Sequence, residues 1–229
     1  MWIKICGIQD IDTATAVASF GPNAIGLNFY TGTPRCVPTD VAALVVASLP
    51  AEVEPVALFV NHPVAEIVNT CRQIGVRTVQ LHGDESPRFL AELQHADETM
   101  KIVRALRCGA EGLEPLDAYL AECLSLGFTP AACLLDAKVA GVFGGSGTQL
   151  PWEDLQGNWS DDRPRLILAG GLNPDNVADA IRTVRPWGVD VSSGVESSPG
   201  VKDLGKVEQF IRAARAAFAE IGAADVSRL

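Results

Sequence analysis

Chemistry in this chain concentrates in a few small or ionisable residues, each at the carboxyl end of a short apolar run. Between positions 166 and 196 the sequence reads LILAGGLNPDNVADAIRTVRPWGVDVSSGVE. Leu166 to Ala169 form an apolar strand that runs into Gly170-Gly171, and a helix is expected from Asn173-Pro174 to near Val184. A second strand, Trp187 to Val191, runs into Ser192-Ser193-Gly194 and another helix start. Two neighbouring loops without bulky side chains, each opening a helix, offer converging backbone N–H groups to a dianion, most simply a phosphate ester. One Gly pair alone would read as a tight turn that needs positive φ. Two consecutive strand–Gly–helix units favour a phosphate grip at Gly170, Gly171, Ser192, Ser193 and Gly194.

Other reactive groups sit at equivalent positions. Side chains alternate along a strand, so in Trp2 to Cys6 the apolar Ile3 and Ile5 share one face and Lys4 and Cys6 the other. If the isoleucines face helices, Lys4 and Cys6 face the interior of a sheet. A thiol one layer above a lysine is expected to have a lowered pKa and to serve as nucleophile or general base, or else to be a packed thiol. Asp136 ends an apolar ACLL run, where partial desolvation suits a general acid, the other reading being a loop or cap carboxylate. Arg35, in the polar loop FYTGTPRCVP, either pairs bidentately with a ligand carboxylate or is a surface Arg. His82 directly follows a strand and is expected to line the site wall. Asp190 either orients a substrate hydroxyl or is structural.

The elements that position these residues alternate throughout. Strand-length apolar runs are expected at Trp2 to Cys6, Ala24 to Asn28, Pro55 to Val60, Thr78 to Leu81, Lys101 to Leu106 and Ala132 to Leu135, before the two described above. Helices are expected at Asp10 to Phe20 with Asp10 as cap, Thr39 to Ser48 with Thr39 as cap, Pro63 to Ile74, Ser86 to His95, Leu113 to Gly127, Trp152 to Leu155 and Lys202 to Glu220. The Gly-rich stretch AKVAGVFGGSGT, containing Gly147, reads as a loop able to close over a ligand.

Eight βα units at roughly 27 residues each describe a compact, single-domain α/β chain folded as a (β/α)8 TIM barrel, whose active site lies at the strand carboxyl ends. The barrel is expected to span residues 1–218, with 219–229 as a frayed tail. An open doubly wound sheet would carry its phosphate motif after strand 1, and none stands there.

Bulk composition narrows the partners. The 229 residues are 48% hydrophobic and carry a net charge of −10, which argues against nucleic acid and anionic membranes. The beginning, MWIKICG, has no run suited to a signal peptide or span, so a cytoplasmic protein is expected. Six cysteines and three histidines show no metal-ligand spacing, so no metal is expected and most thiols read as buried fillers. No stretch marks an interface, and a monomer is the default.

Seven motifs in order (KICG at Lys4 to Gly7, GLNFY with TPR to Arg35, VQLHGDE at Val79 to Glu85, LLDA at Leu134 to Ala137, GGSGT, LAGGLNPDNV and VDVSSGVESSPGVKD) together resemble the phosphoribosylanthranilate isomerase family. The resemblance spans strand 1 to the final helix and departs at TPR, where the family has SPR. It implies an Amadori rearrangement in tryptophan biosynthesis that needs no cofactor, on one small phosphorylated substrate. By the family pattern, Cys6 is the general base, Asp136 the general acid and Arg35 the holder of the anthranilate carboxylate, with Gly147 joining the phosphate grip. The histidine-pathway aminoaldose isomerase would need a second Gly-rich grip after strand 4 and an Asp ending strand 1, where this chain has HGDE and Cys6. Indole-3-glycerol-phosphate synthase would need rim lysines, whereas Lys4 and Lys101 sit low in their strands. A non-catalytic phosphosugar-binding barrel would have no reason to hold both Cys6 and Asp136 at the rim.

Overall fold

Eight parallel strands close into a barrel in sequence order: β1 (Trp2–Cys6), β2 (Ala24–Asn28), β3 (Glu54–Phe59), β4 (Thr78–Leu81), β5 (Lys101–Cys108), β6 (Ala132–Ala137), β7 (Arg165–Leu168) and β8 (Gly188–Val191). β8 pairs back onto β1, with Lys4 opposite Asp190. This computed structural model describes residues 1–108, 113–137, 152–155, 157–160 and 162–226. The loop residues 138–151, including Gly147, lie outside them.

Helices α1 (Ile11–Ser19), α2 (Thr39–Ser48), α3 (Val64–Ile74), α4 (Pro87–Ala96), α5 (Glu114–Ser125), α6 (Trp152–Leu155), α7 (Val177–Val184) and α8 (Leu204–Val226) complete the units. Local chemistry sets several boundaries. The Asp10 carboxylate accepts from the Thr13 N–H at 2.7 Å, satisfying a donor the first turn of α1 leaves open. Ser86 does the same for Phe89, with Pro87 in the first turn of α4. Gly75 closes α3 in the left-handed region at φ +74°.

Three expectations need correction. Thr39 does not cap α2: Pro38 holds the extended cap position, and Thr39 is already helical. α7 begins at Val177, not on Asn173-Pro174, because Asn173 and Asn176 tie the preceding residues into a turn. Asn173 Oδ1 accepts from the Asp175 and Asn176 N–H groups, and Asn176 Oδ1 accepts from the Asn173 N–H at 2.8 Å. α8 starts at Leu204 and runs to Val226, past the expected end at Glu220. Before it, residues 196–202 fold as a small antiparallel hairpin, β9 (Glu196–Ser198) with β10 (Val201–Lys202).

Burial follows the alternation. Ile3, Ile5, Ile25 and Val79 point outward into the layer shared with the helices, alongside Val17, Ile67 and Phe210. Trp2, Ala24, Val56, Val103, Leu134 and Ile167 fill the bottom of the lumen. Above them lie Lys4 and Asp190, both buried, and at the top Cys6 with Leu58 and Val60. The barrel is thus a packed core with a polar layer just beneath its mouth. Among the described residues, no helix is long and apolar enough to cross a membrane.

Candidate active site

A cavity opens at the carboxyl ends of the strands, and Cys6, Arg35, His82, Asp136, Asp190 and the loops after β7 and β8 line it. All the described site residues expected from the sequence therefore meet in one place.

The floor is the Lys4–Asp190–Cys6 cluster. Lys4 Nζ donates to Asp190 Oδ1 at 2.9 Å, and the lysine side chain has no exposed surface. Burial alone would push the ammonium toward neutrality, but the charges of Asp190 and Cys6 and their hydrogen bonds hold the Lys4 pKa above its ordinary value. Asp190 thus faces inward and has a structural partner. For Cys6 the sequence expectation is corrected. Burial raises the thiol pKa; Lys4 and Lys202 oppose this with positive charge, while Asp190 adds to it, and the net direction is upward. Cys71 and Cys133 are apolar fillers whose thiols burial pushes to about 12. At Cys6 the charges of both Lys4 and Lys202 act against burial.

Across the mouth, Asp136 projects from β6, buried to 6% exposure. His82 Nε2 lies 3.3 Å from Asp136 Oδ2, an electrostatic contact too poorly aligned to be a hydrogen bond. Gln80, two residues earlier on β4, contacts His82 Nδ1 through Nε2 at 3.0 Å. With the Gln80 amide as donor, Nδ1 of His82 is the acceptor in this contact.

Arg35 reaches the cavity from the loop after β2, but its fork is already engaged. Nε donates to Glu196 Oε1 at 2.8 Å and Nη2 to Oε2 at 2.7 Å. Glu196 also accepts from Lys202 Nζ at 2.8 Å and from the Gly200 N–H at 3.2 Å. Burial would raise the Glu196 carboxyl pKa, but the hydrogen bonds and charges of Arg35 and Lys202 prevail and hold it at about 2. Lys202, whose own pKa burial lowers, further donates to the Ser192 carbonyl at 3.0 Å. Glu196 and Lys202 went unrecognised in the sequence, although Ser-Ser-Pro-Gly between two short extended pieces is a hairpin signal.

The two Gly-rich loops do converge. Gly170 and Gly171 take successive left-handed conformations, φ +82° and +66°, which bulkier residues rarely adopt. A Cβ on Gly194 would overlap the Leu172 carbonyl oxygen, so the loop after β8 packs directly on the loop after β7. The segment after Ser192 is a single 3-10 turn, Ser193–Val195, in place of the expected helix start. Ser192 Oγ donates to the Cys6 carbonyl at 3.2 Å, linking this rim to the strand that carries the thiol.

A buried acid, a cation-flanked thiol, an Arg fork and a Gly-rich rim suit proton transfers on a substrate anionic at both ends. Comparison with known proteins agrees. Residues 3–213 match the family model of N-(5'phosphoribosyl)anthranilate (PRA) isomerase. An N-(5'-phosphoribosyl)anthranilate isomerase of Pelobacter propionicus is 40% identical over 214 residues, covering 93% of this chain and 95% of that protein. The crystal structure of phosphoribosyl anthranilate isomerase from Thermotoga maritima superposes with a TM-score of 0.81 at 32% identity, covering 94% of this chain and 99% of that one. A crystal structure of a phosphoribosyl anthranilate isomerase in complex with reduced 1-(o-carboxyphenylamino)-1-deoxyribulose 5-phosphate gives 0.79 at 30% identity, with 94% of this chain and 99% of that one covered. Barrel, site and sequence point the same way, and the chain belongs to the N-(5'-phosphoribosyl)anthranilate isomerase family.

Proposed function

We propose that this chain catalyses the Amadori rearrangement of N-(5'-phosphoribosyl)anthranilate to 1-(2-carboxyphenylamino)-1-deoxyribulose 5-phosphate, a step of tryptophan biosynthesis, with Asp136 as acid and Cys6 as base. The observation that carries this reading is that Cys6 and Asp136 share one cavity, with Arg35 on its wall and the Gly-rich loops on its rim. The ligand in the related complex carries the two matching anionic ends, a carboxylate and a phosphate.

Asp136 gives its proton to the furanose ring oxygen as the C1–O bond breaks, and the nitrogen lone pair forms the iminium. Cys6, as thiolate, removes the proton from C2, and the C–H electrons form the C1=C2 bond of the enolamine while nitrogen recovers its pair. Return of the thiol proton to C1, with loss of the enol proton to Asp136 directly or through water, gives the ketone and restores both groups. Each positioned proton transfer is worth about 10²- to 10⁴-fold. Arg35 holds the carboxylate, and the backbone N–H groups of Gly170, Gly171, Ser193 and Gly194 hold the phosphate with the Ser193 hydroxyl, beside the Ser192 hydroxyl that ties this rim to the Cys6 carbonyl. Fixing both ends sets C1 and C2 between acid and base. His82 steadies Asp136 from the wall, and Asp190 keeps Lys4 charged beneath the thiol. Gly147 completes the phosphate grip in this reading.

The test is loss of substrate fluorescence, with phosphoribosylanthranilate generated in situ. Turnover by wild type, reduced by at least about a hundredfold in both Cys6→Ser and Asp136→Asn, is the expected result. Variants that retain wild-type kcat would remove these residues from their roles.

A further inference from the structure

The Arg35 guanidinium has two usable edges. Its side edge, Nε with one Nη2 hydrogen, is spent on Glu196 at 2.8 and 2.7 Å. The end edge, formed by Nη1 and the second Nη2 hydrogen, belongs to a different direction and can take another carboxylate in the same plane. Glu196 is built to hold that plane. Its side chain is 4% exposed, and Lys202 Nζ and the Gly200 N–H bind it independently of Arg35. The stem of Arg35 is confined from the other side: a Cβ on Gly7 would lie 3.0 Å from Arg35 Cδ.

Charge completes the arrangement. Arg35 and Glu196 alone would be a neutral pair with little pull on an anion. Lys202, 1% exposed on its side chain, returns one unit of positive charge to the group. A substrate carboxylate approaching a chain of net charge −10 thus meets a net cationic, pre-oriented fork.

We propose that Glu196 is a positioning residue: braced by Lys202, it turns the free edge of Arg35 toward the cavity and so sets selectivity for substrates with an anionic ring substituent. This rests on the reading of Arg35 as the carboxylate holder. Pre-ordering a long, rotamer-rich side chain is worth about tenfold in binding, and that gain is confined to ligands that carry the carboxylate.

The experiment measures Kd by calorimetry for two stable ligands, reduced 1-(2-carboxyphenylamino)-1-deoxyribulose 5-phosphate and its counterpart without the carboxylate. Wild type, Glu196→Gln, Glu196→Asp and Arg35→Ala are compared, with KM and kcat measured alongside. In Glu196→Asp, which conserves the net charge, the carboxylated ligand should bind about tenfold more weakly and KM rise in step, while kcat and the affinity for the second ligand change by no more than about threefold; in Glu196→Gln the added positive charge offsets part of that loss. Glu196→Asp keeps the charge that Lys202 needs but is too short for the fork, so the test stands even if the Gln variant folds poorly. Equal losses for both ligands in Glu196→Asp, or none, would overturn the proposal and leave Glu196 a structural strut. If Arg35→Ala also fails to discriminate between the ligands, the carboxylate role of Arg35 itself is wrong. If Arg35→Ala discriminates and the Glu196 variants do not, only the positioning role falls.

Discussion

Gly26 stands so close to Cys6 across the β1–β2 ladder that a Cβ in its place would lie 2.6 Å from Sγ and 3.0 Å from Lys4 Cε. The missing side chain is what seats the thiol in the lumen. Gly26→Ala must displace either the sulfur or the lysine beneath it, because the third neighbour, Cys6 Cα at 3.1 Å, is backbone. A displacement approaching 1 Å at a reacting group costs on the order of 10² in rate. Steady-state kinetics should show kcat falling by about that factor while KM changes little, and urea unfolding should show a loss of about 1–3 kcal/mol from overpacking. Unchanged kcat would mean that thiol placement does not limit the reaction.

Lys4 should control the pH at which Cys6 works. Burial raises the thiol pKa and the Lys4 charge opposes it. A base acts when deprotonated, so kcat/KM should climb with pH along an acid limb set by this thiol. Lys4→Met removes the opposing cation and leaves Asp190, which raises the thiol further, unneutralised. The limb should therefore move to higher pH, with activity at neutral pH reduced and partly recovered in alkaline buffer. A limb that stays put would show that Lys4 serves only to pack and to neutralise Asp190.

The barrel was legible because the alternation in β1, the strand-length apolar runs and the Asp10 cap are local signals. The meeting of Cys6, Asp136 and the two Gly-rich loops in one cavity was legible because each ends a strand. What escaped was non-local. Nothing near Glu196 announces that its carboxylate will meet Arg35 from a loop 161 positions away, and nothing near Gly26 announces the Cys6 sulfur. The net rise in the Cys6 pKa also escaped: the sequence puts Lys4 nearby, whereas the depth of burial that outweighs it exists only once the barrel has closed. The late start of α7 was a local misreading of Asn-Pro-Asp-Asn, where side-chain oxygens bind the backbone and delay the helix.

A second buried pair holds the loop that carries His82. Arg104 Nη1 donates to Glu85 Oε2 at 2.7 Å and to the Leu81 carbonyl at 2.9 Å, and Nη2 donates to the Gly83 carbonyl at 3.0 Å. Glu85 in turn accepts from the Asn61 and Gly83 N–H groups. Arg104→Met leaves the Glu85 carboxylate buried without its cation, a change that costs about 3–5 kcal/mol. Adding Glu85→Leu should recover only part of this, because the Asn61 and Gly83 donors then lose their acceptor. Urea unfolding of wild type, both single variants and the double variant checks this, and a loss below about 1 kcal/mol in Arg104→Met would contradict it.

Glu196 should also leave its mark on acid stability. Its carboxyl pKa is about 2 in the folded chain against 4.5 ordinarily. A depressed carboxylate contributes stability that is complete above its unfolded pKa and is lost as pH falls through the folded one. Wild type should therefore lose part of its unfolding free energy between about pH 5 and pH 2 through this group alone. Glu196→Gln, which cannot ionise, should start less stable at pH 7 because Arg35 and Lys202 lose their counter-charge. Its stability should then fall less steeply over the same interval, so that the gap between the two proteins narrows as pH drops. Chemical denaturation at half-unit steps of pH gives the gap directly. A gap that stays constant from pH 7 to pH 2 would mean that the carboxylate is no better bound in the folded chain than in water.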